Sequence, residues 1–233
     1  MTFDRDEIRS CMLFNWVTDS ETEDFLKRHP CKIRRFDKGD CVITREELSE
    51  NIGVVLEGTL GIYSDSYYGG HAMVGIGGRD YLFGFIAMFY NHAHSITSLY
   101  SRGCRVAYFS VPTGQTPVDF ISTTSPGIIS NIFDALTTHI RHDFDHIYYI
   151  GADSVSVKLT RYLLYQREEQ NQNVVELGMN RTELSNFLSV YRTSLSREIG
   201  RMVKENIIEP VGKDKIRILD LQALIDIEQT SYK

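Results

Sequence analysis

The periodicity of the apolar residues changes near residue 111, and this change limits the fold more than any other feature. Between Cys31 and about Val111, short runs rich in β-branched and aromatic residues alternate with glycines at turn positions. Many short strands at this spacing predict an antiparallel barrel or jelly roll. From Pro126 to Ile150, apolar residues recur every three or four positions, which predicts one long amphipathic helix. The sequence therefore indicates an α+β protein.

These periodicities also divide the 233 residues into segments. Gly151 is a natural stop after the long helix. We therefore predict an antiparallel barrel or jelly-roll domain over residues 1–125, one long helix over 126–151 and a further domain over 152–233.

Three smaller segments have weaker patterns. Asp19–His29 has helical spacing and is predicted to form a short helix. Asp119–Ser125 is predicted to be a polar lead-in to the long helix. The polar stretch Glu168–Asn173 is predicted to be a loop.

Composition argues against several classes of protein. The longest apolar run, Tyr81 to Tyr90, is about half the length of a membrane span. The four cysteines have no paired spacing, which is typical of reduced thiols in a cytosolic protein and does not favour an iron–sulfur cluster: Cys11, Cys31, Cys41 and Cys104. No nucleophile, acid–base pair or phosphate loop indicates catalysis. We expect a cytoplasmic protein that is not an enzyme and has no membrane partner.

The distribution of charge draws attention to the last third of the chain. Residues 1–152 carry 13 Lys and Arg against 19 Asp and Glu, whereas residues 153–233 carry 12 of each. Within Met179–Lys204, five positive side chains stand against two carboxylates. A local basic stripe in an acidic protein is typical of a nucleic-acid contact, and a solvated helix face is the alternative.

The same segment has the pattern of a winged helix-turn-helix. Residues 181–188 and 192–205 predict two helices joined by a tight turn, and VGKDKIRIL predicts two wing strands. A helix fits the major groove, where Arg binds guanine with two donors. Base contacts are predicted for Arg192, Thr193, Ser196 and Arg197. Phosphate contacts are predicted for Arg181, Thr182, Arg201 and Lys213.

The stretch NRTELSNFLSVYRTSLSREIGRMVKENIIEP resembles the DNA-binding module of the Crp/Fnr family of bacterial regulators. GRDYLFG and CRVAYFS are similar to barrel strands of that family, so the resemblance spans nearly the whole chain. It implies that residues 1–125 are a β-roll sensor domain, built as a double-stranded β-helix (jelly-roll) barrel. It implies that residues 126–151 are a dimerisation helix and that 152–233 are a winged helix-turn-helix DNA-binding domain. It implies a homodimer that binds a palindromic operator in double-stranded DNA, with RNA polymerase as a further partner. It also implies an effector that binds in the β-roll.

Departures from the family pattern bear on the ligand and the operator. Where cyclic-AMP binders of the family have Glu and then Arg-Ser, this sequence has Phe85 and then His94-Ser95. Phe85 supplies no acceptor for a ribose hydroxyl, and a cyclic phosphate needs a charged donor, so cyclic AMP is disfavoured. Thr193 stands where many members carry Glu, so a different DNA sequence is expected. Ser189 replaces the frequent turn glycine.

The effector is therefore expected to be another small molecule, apolar or aromatic, or a redox signal, and no cofactor is identified. An effector pocket is predicted beside an aromatic segment of the roll, although core packing accounts for most of the same residues. The predicted pocket residues are Phe83, Phe85, Met88, His94 and Ser95.

The long helix carries an apolar stripe and a polar flank. The stripe predicts a dimer interface, with a buried intradomain helix as the alternative: Ile129, Phe133, Leu136, Ile140, Phe144 and Ile147. The flank of His139, His142, Asp143 and His146 has spacings suited to a metal, but a solvated flank is favoured.

Two other functions remain open. A barrel metalloprotein or metalloenzyme with an appended helical module would bind metal at His92 and His94, yet Ile96–Tyr100 offers no carboxylate to complete such a site. A winged-helix protein-interaction module would bind a protein instead of DNA.

Overall fold

A computed structural model describes residues 8–44, 47–65, 71–89 and 98–230 of the protein. The chain divides into two compact units, Met1–Ile140 and Arg141–Lys233. The division falls inside the segment 126–151, which was predicted to be one long helix. The mixed architecture, with an antiparallel sheet followed by a helix-turn-helix, confirms the predicted fold class.

The first unit opens with a short 3-10 turn, Met12–Phe14, and helix α1, Asp19–Arg28. Thr18 caps α1: its hydroxyl accepts from the amide of Glu21, and the Glu21 carboxylate accepts from the amide of Thr18. The predicted helix over 19–29 is confirmed to within one residue.

An antiparallel sheet of six strands follows among the described residues. Its order is β1-β6-β3-β4, with β2 beside β6 and β5 beside β3. The bounds are β1 Cys31–Phe36, β2 Cys41–Thr44, β3 Asn51–Asp65, β4 His71–Gly77, β5 Leu82–Phe83 and β6 Ser98–Ser110. A 3-10 turn at Glu47–Ser49 and helix α2, Phe85–Phe89, connect them. Long β3 and β6 pair along most of their length and form the centre of the sheet.

Two clusters of buried apolar side chains stabilise this unit. The roll cluster lies among strand residues and includes Leu60, Phe83, Leu99, Val106 and Tyr108. The helix cluster joins strand residues to the helices and includes Phe25, Phe109, Phe120, Ile128 and Ile132. Alternate residues of β6 enter different clusters, because successive side chains of a strand point to opposite faces.

Helix α3, Pro117–Thr123, lies where a polar lead-in was predicted, so that prediction was wrong. Thr116 and Asp119 form a capping box, and Pro117 occupies the first turn. Phe120 is completely buried, whereas Val118 on the same helix is 74% exposed. With one buried side chain in seven residues, the apolar periodicity was too weak to predict a helix. The capping residues Thr116 and Asp119 were nevertheless visible in the sequence.

Helix α4, Pro126–Ile150, is continuous over 25 residues, as predicted. Ile128 and Ile132 are buried in the helix cluster of the first unit. Its last turns belong to the second unit, where Tyr149 is buried. No helix among the described residues combines the length and hydrophobicity that a membrane span requires.

The second unit contains four further helices and a small antiparallel sheet of order β7-β9-β8. The bounds are α5 Val155–Gln170, β7 Val174–Glu176, α6 Arg181–Phe187, α7 Arg192–Lys204, β8 Ile208–Val211, β9 Lys215–Ile218 and α8 Leu221–Gln229. Helix α5 continues to Gln170, so the loop predicted from Glu168 begins three residues too early. Asn171, at φ 48°, ends the helix in the left-handed conformation, which Asn tolerates well.

Candidate nucleic-acid interface

Helix α6 starts at a capping box formed by Asn180 and Glu183. The Asn180 side chain accepts from the amides of Thr182 and Glu183 at 2.9 and 3.0 Å, and the Glu183 carboxylate accepts from the Asn180 amide at 2.8 Å. Leu184 and Leu188 are fully buried, whereas Thr182 is exposed. The cap and the buried pair place Thr182 on the outside of the first turn.

A tight turn then leads to α7. Ser189 takes a positive φ of 51°, and the Val190 amide donates to the carbonyl of Ser185 at 2.9 Å. Tyr191 precedes the helix and is 85% exposed. The predicted Ser189-Val190-Tyr191 connection is present, with Ser189 in a conformation that favours glycine.

Helix α7 separates an apolar face from a polar one. Leu195, Ile199 and Met202 are buried. Val203, at the end of the same helix, is 37% exposed. The side chains predicted to contact bases are all exposed on the first two turns: Arg192, Thr193, Ser196 and Arg197.

The electrostatic potential at the start of α7 favours an anion. Tyr191 provides no side-chain cap, and the first turn contains no acidic residue. The first backbone amides of a helix lack intrahelical partners and carry its partial positive charge. Arg192 adds a full charge at the same end.

Arg201 lies near the other end of α7 and is already paired. Its guanidinium donates to Glu198 at 2.6 Å, to Glu205, and to the hydroxyl of Ser156 on α5 at 3.2 Å. These carboxylates raise the pKa of Arg201 above its ordinary value. Two negative charges on its own helix offset its attraction for phosphate, a feature that sequence reasoning missed.

Arg181 and the wing complete the predicted phosphate contacts. Arg181 is half-buried, and burial lowers the pKa of its guanidinium. Lys213 is exposed in the turn between β8 and β9. The neighbouring wing cations are paired, Lys215 with Glu176 and Arg217 with Glu209. Lys213 is thus the exposed cation of this turn.

Of the residues predicted to line an effector pocket, the two whose side chains are described lie in different clusters. Phe83 belongs to the roll cluster, where its ring packs against Tyr108 at 5.9 Å. Phe85 belongs to the helix cluster, 5.8 Å from Phe120. Both are buried. The side chain of Met88 and all of His94 and Ser95 lie outside the described residues.

The described interior of the roll offers few polar groups to a cyclic nucleotide. Its phosphate needs a cation and its ribose an acceptor, but the buried residues described there include no Lys or Arg. Phe83 lies so close over Gly53 that a Cβ there would be 2.0 Å from its ring. The Tyr108 hydroxyl donates to the carbonyl of Val42 at 2.7 Å. These described side chains pack closely against one another.

The apolar stripe of α4 is largely open to solvent. Ile129 and Leu136 are partly buried against the helix cluster. The four other members are more than half exposed: Phe133, Ile140, Phe144 and Ile147, with Phe144 at 67%. The alternative of a fully buried intradomain helix therefore does not hold for these four positions.

The polar flank of α4 is used in packing. His139 stacks on Tyr81 at 4.4 Å within the first unit, and His146 stacks on Phe187 at 4.3 Å within the second. No cluster of three possible metal ligands occurs among the described residues. The sequence favoured a polar flank exposed to solvent. That prediction holds for His142 and Asp143, which are exposed, but not for His139 and His146, which stack on aromatic rings. His92 and His94 lie outside the described residues.

The cysteines of the described chain are free thiols. Cys11, Cys31 and Cys104 are buried and Cys41 is exposed. Burial raises the pKa of Cys11 and of Cys31 to about 12, so both are protonated at neutral pH. Protonated buried thiols are poor nucleophiles.

Two family models match the chain, in the order of its two units. The family described as cyclic nucleotide-binding domain matches residues 33–112, and the Crp-like helix-turn-helix domain matches residues 157–227. A probable transcriptional regulator, flp, of Lacticaseibacillus casei is 37% identical over 78 residues. That match covers 34% of this chain and 35% of the relative, so the chain spans only about a third of that relative.

Solved structures share the fold at low identity. A CooA mutant from Carboxydothermus hydrogenoformans matches with a TM-score of 0.68 and 17% identity, over 87% of this chain and 89% of that one. A transcriptional regulator of the crp/fnr family from Eubacterium rectale matches with a TM-score of 0.67 and 14% identity, over 95% and 99%.

Proposed function

We propose that the chain is a regulator of the Crp/Fnr family and controls transcription by binding duplex DNA as a homodimer. The two matched domains agree with the resemblance found in the sequence. Proteins of this family are transcription regulators rather than enzymes, as was also predicted. The observation that carries the proposal is the exposed, uncapped start of α7 with its two arginines, Arg192 and Arg197.

In the proposed complex, the start of α7 enters the major groove. Arg192 and Arg197 are suited to guanine edges, and the hydroxyls of Thr193 and Ser196 to bases or nearby phosphates. Thr182 and Lys213 are exposed and suited to the flanking phosphates. Arg181 is less available for a phosphate contact because it is half-buried. Arg201 chiefly links α7 to α5 through its hydrogen bond to Ser156.

The exposed stripe of α4 supports the homodimer. Phe133, Ile140, Phe144 and Ile147 recur at helical spacing, and a contiguous exposed apolar row of this kind marks an interaction surface. A second copy is the partner whose stripe has the same length and chemistry. Two-fold symmetry then implies a palindromic operator.

The roll is proposed to receive a small-molecule effector other than cyclic AMP. The described buried residues of the roll include no Lys or Arg for a cyclic phosphate, which supports that choice, and the protonated buried thiols favour a bound molecule over a thiol-based redox signal. RNA polymerase is the proposed further partner, and the cytoplasm is the compartment where these partners occur.

Selection of bound sites from a pool of random duplexes tests the proposal. We expect enrichment of a palindrome that differs from the family's commonest operator. Binding should weaken steeply with salt, since each neutralised phosphate contributes roughly 0.9 to the slope of the log–log plot. The double variant Arg192→Ala, Arg197→Ala serves as control and should lose selectivity.

A chain that enriches no duplex at low salt would contradict DNA recognition and favour the protein-interaction module. Enrichment of single sites without symmetry would contradict the homodimer alone.

A further inference from the structure

His146 makes a close contact that neither the metal site nor the solvated flank explains. It lies in the last turns of α4, half-buried, and its Nε2–H donates to the backbone carbonyl of Phe187 at 2.7 Å. Its ring also stacks on the Phe187 ring, with centroids 4.3 Å apart and an interplanar angle of 23°. Both residues belong to the second unit, so the contact is internal to it.

The carbonyl that His146 binds is at the end of helix α6. The last carbonyls of a helix lack intrahelical donors. In this turn, the amides of Leu188, Ser189 and Val190 donate to the carbonyls of Leu184, Asn186 and Ser185. The next carbonyl along the chain, that of Phe187, accepts from His146 instead. The imidazole thus completes the hydrogen bonding of the turn.

This turn determines where α7 begins. Four residues separate Phe187 from Arg192, and three of their amides are tied back to α6. Tyr149 and Tyr162 also pack on the Phe187 ring, with centroids at 6.2 and 5.7 Å. Such ring contacts permit sliding, whereas a hydrogen bond of 2.7 Å depends strongly on direction. His146 therefore sets the orientation of the turn against α4.

We propose that His146 is a positioning residue that holds the turn before α7 in a defined orientation to the dimer helix α4. The inference rests on the proposed function. Ile147, the next residue, belongs to the exposed stripe. One turn of α4 therefore carries both a residue of the stripe and the hydrogen bond to the last carbonyl of α6. In the homodimer, this contact sets how the two copies of α7 are spaced and directed on a palindrome.

The test compares two duplexes: the selected palindrome and a duplex with one half-site. Damage to the helix-turn-helix itself weakens both, whereas mispositioning relative to the two-fold axis weakens only the palindrome. His146→Phe keeps the stacked ring and removes the donor. His146→Gln keeps an N–H donor and removes the ring. Tyr148→Phe is the matched control, because it removes a neighbouring bond from α4, 2.6 Å to Glu228 on α8, away from the turn.

We expect His146→Phe to reduce affinity for the palindrome about tenfold, the factor that corresponds to one lost hydrogen bond of ordinary strength, and to leave the half-site affinity within about twofold. His146→Gln should recover much of the loss, and Tyr148→Phe should keep the wild-type ratio of the two affinities. Circular dichroism melting of each variant checks that the domain folds.

If His146→Phe weakens binding to both duplexes by the same factor, or weakens neither, His146 is not a positioning residue. Neither outcome contradicts DNA recognition. If the wild-type protein binds the palindrome no more tightly than the half-site, the proposed binding as a homodimer is contradicted. The proposed role of His146 is then contradicted as well. The wild-type ratio therefore distinguishes the two failures.

Discussion

The winged-helix unit exposes the side chains predicted to contact DNA bases, whereas the roll unit buries Phe83 and Phe85, which were predicted to line an effector pocket. Arg192, Thr193 and Arg197 project from the first turns of α7 into solvent. Phe83 and Phe85 lie in two separate apolar clusters of the roll. On an amphipathic helix the polar residues lie on the solvent side, whether or not they bind a ligand. The spacing of apolar residues along the sequence therefore predicts that these side chains are exposed. An aromatic residue in a strand has the same pattern in a core as in a pocket.

The comparison implies different responses to substitution in the two units. In the roll, changes at predicted positions should alter stability first, and in the winged helix they should alter DNA binding first.

Phe120→Ala should lower the free energy of unfolding of the roll by about 3–5 kcal/mol, because it removes a fully buried ring and leaves a cavity. Val118→Ala on the same helix should stay within about 0.5 kcal/mol of wild type, since Val118 is exposed. Urea titration followed by circular dichroism measures both. Equal effects would show that burial does not govern α3.

Arg197→Ala should weaken operator binding by about 1–3 kcal/mol and relax selectivity at one base pair. Arg201→Ala removes the same charge and is the matched control. Because Arg201 is already paired with Glu198 and Glu205, we expect a smaller loss and unchanged base preference. Fluorescence anisotropy on the operator and on single-base variants measures this. Relaxed selectivity in Arg201→Ala would reverse the assignment of the two arginines.

His29 should make the roll less stable in weak acid. It is buried between Phe25 and Phe120, and burial lowers its pKa below 6.5. The unfolded chain then binds a proton more readily than the folded one, so stability is full above 6.5 and declines as the pH falls through the folded pKa.

Urea titrations across this range should show the decline in wild type and less of it in His29→Gln, whose amide can still donate to the carbonyl of Ser110 as Nδ1 does. A pH dependence that survives the substitution unchanged would assign the effect to other groups.

Ser189→Gly should raise the stability of the winged-helix unit by about 0.4–1 kcal/mol, because glycine adopts the positive φ of the turn without the steric cost that Ser189 bears. Asn206→Gly, also at a positive φ, is the control and should gain less, since Asn tolerates this conformation. Thermal melting compares the two. A loss on Ser189→Gly would mean that the serine side chain stabilises the turn.

Several elements were predictable because their signals are local. The capping boxes at Thr18 and Asn180 lie within one helical turn, and successive residues of the α4 stripe are three or four positions apart. These helices were predicted to within a residue or two. Helix α3 was missed although its cap was visible at Thr116, because its short length buries only Phe120. A search weighted towards caps would have found it.

Contacts between distant segments were not predictable in the same way. The pairing of Arg201 with Glu198 is local, yet its bond to Ser156 joins residues 45 positions apart. His146 and Phe187 are 41 positions apart, and no pattern around His146 indicates a carbonyl partner. The separation of Phe83 from Phe85 into different clusters likewise depends on the sheet and helices around them.

Periodicity, caps and turn residues act over a few positions along the chain, so the sequence alone predicted most strands and helices, the resemblance to the Crp/Fnr family and the exposed face of α7. The folded chain sets which charges are already paired, what His146 binds and where the aromatic residues of the roll pack. Those outcomes depend on which backbone groups and side chains the fold brings within about 3 to 6 Å of one another, the range over which hydrogen bonds and ring contacts act.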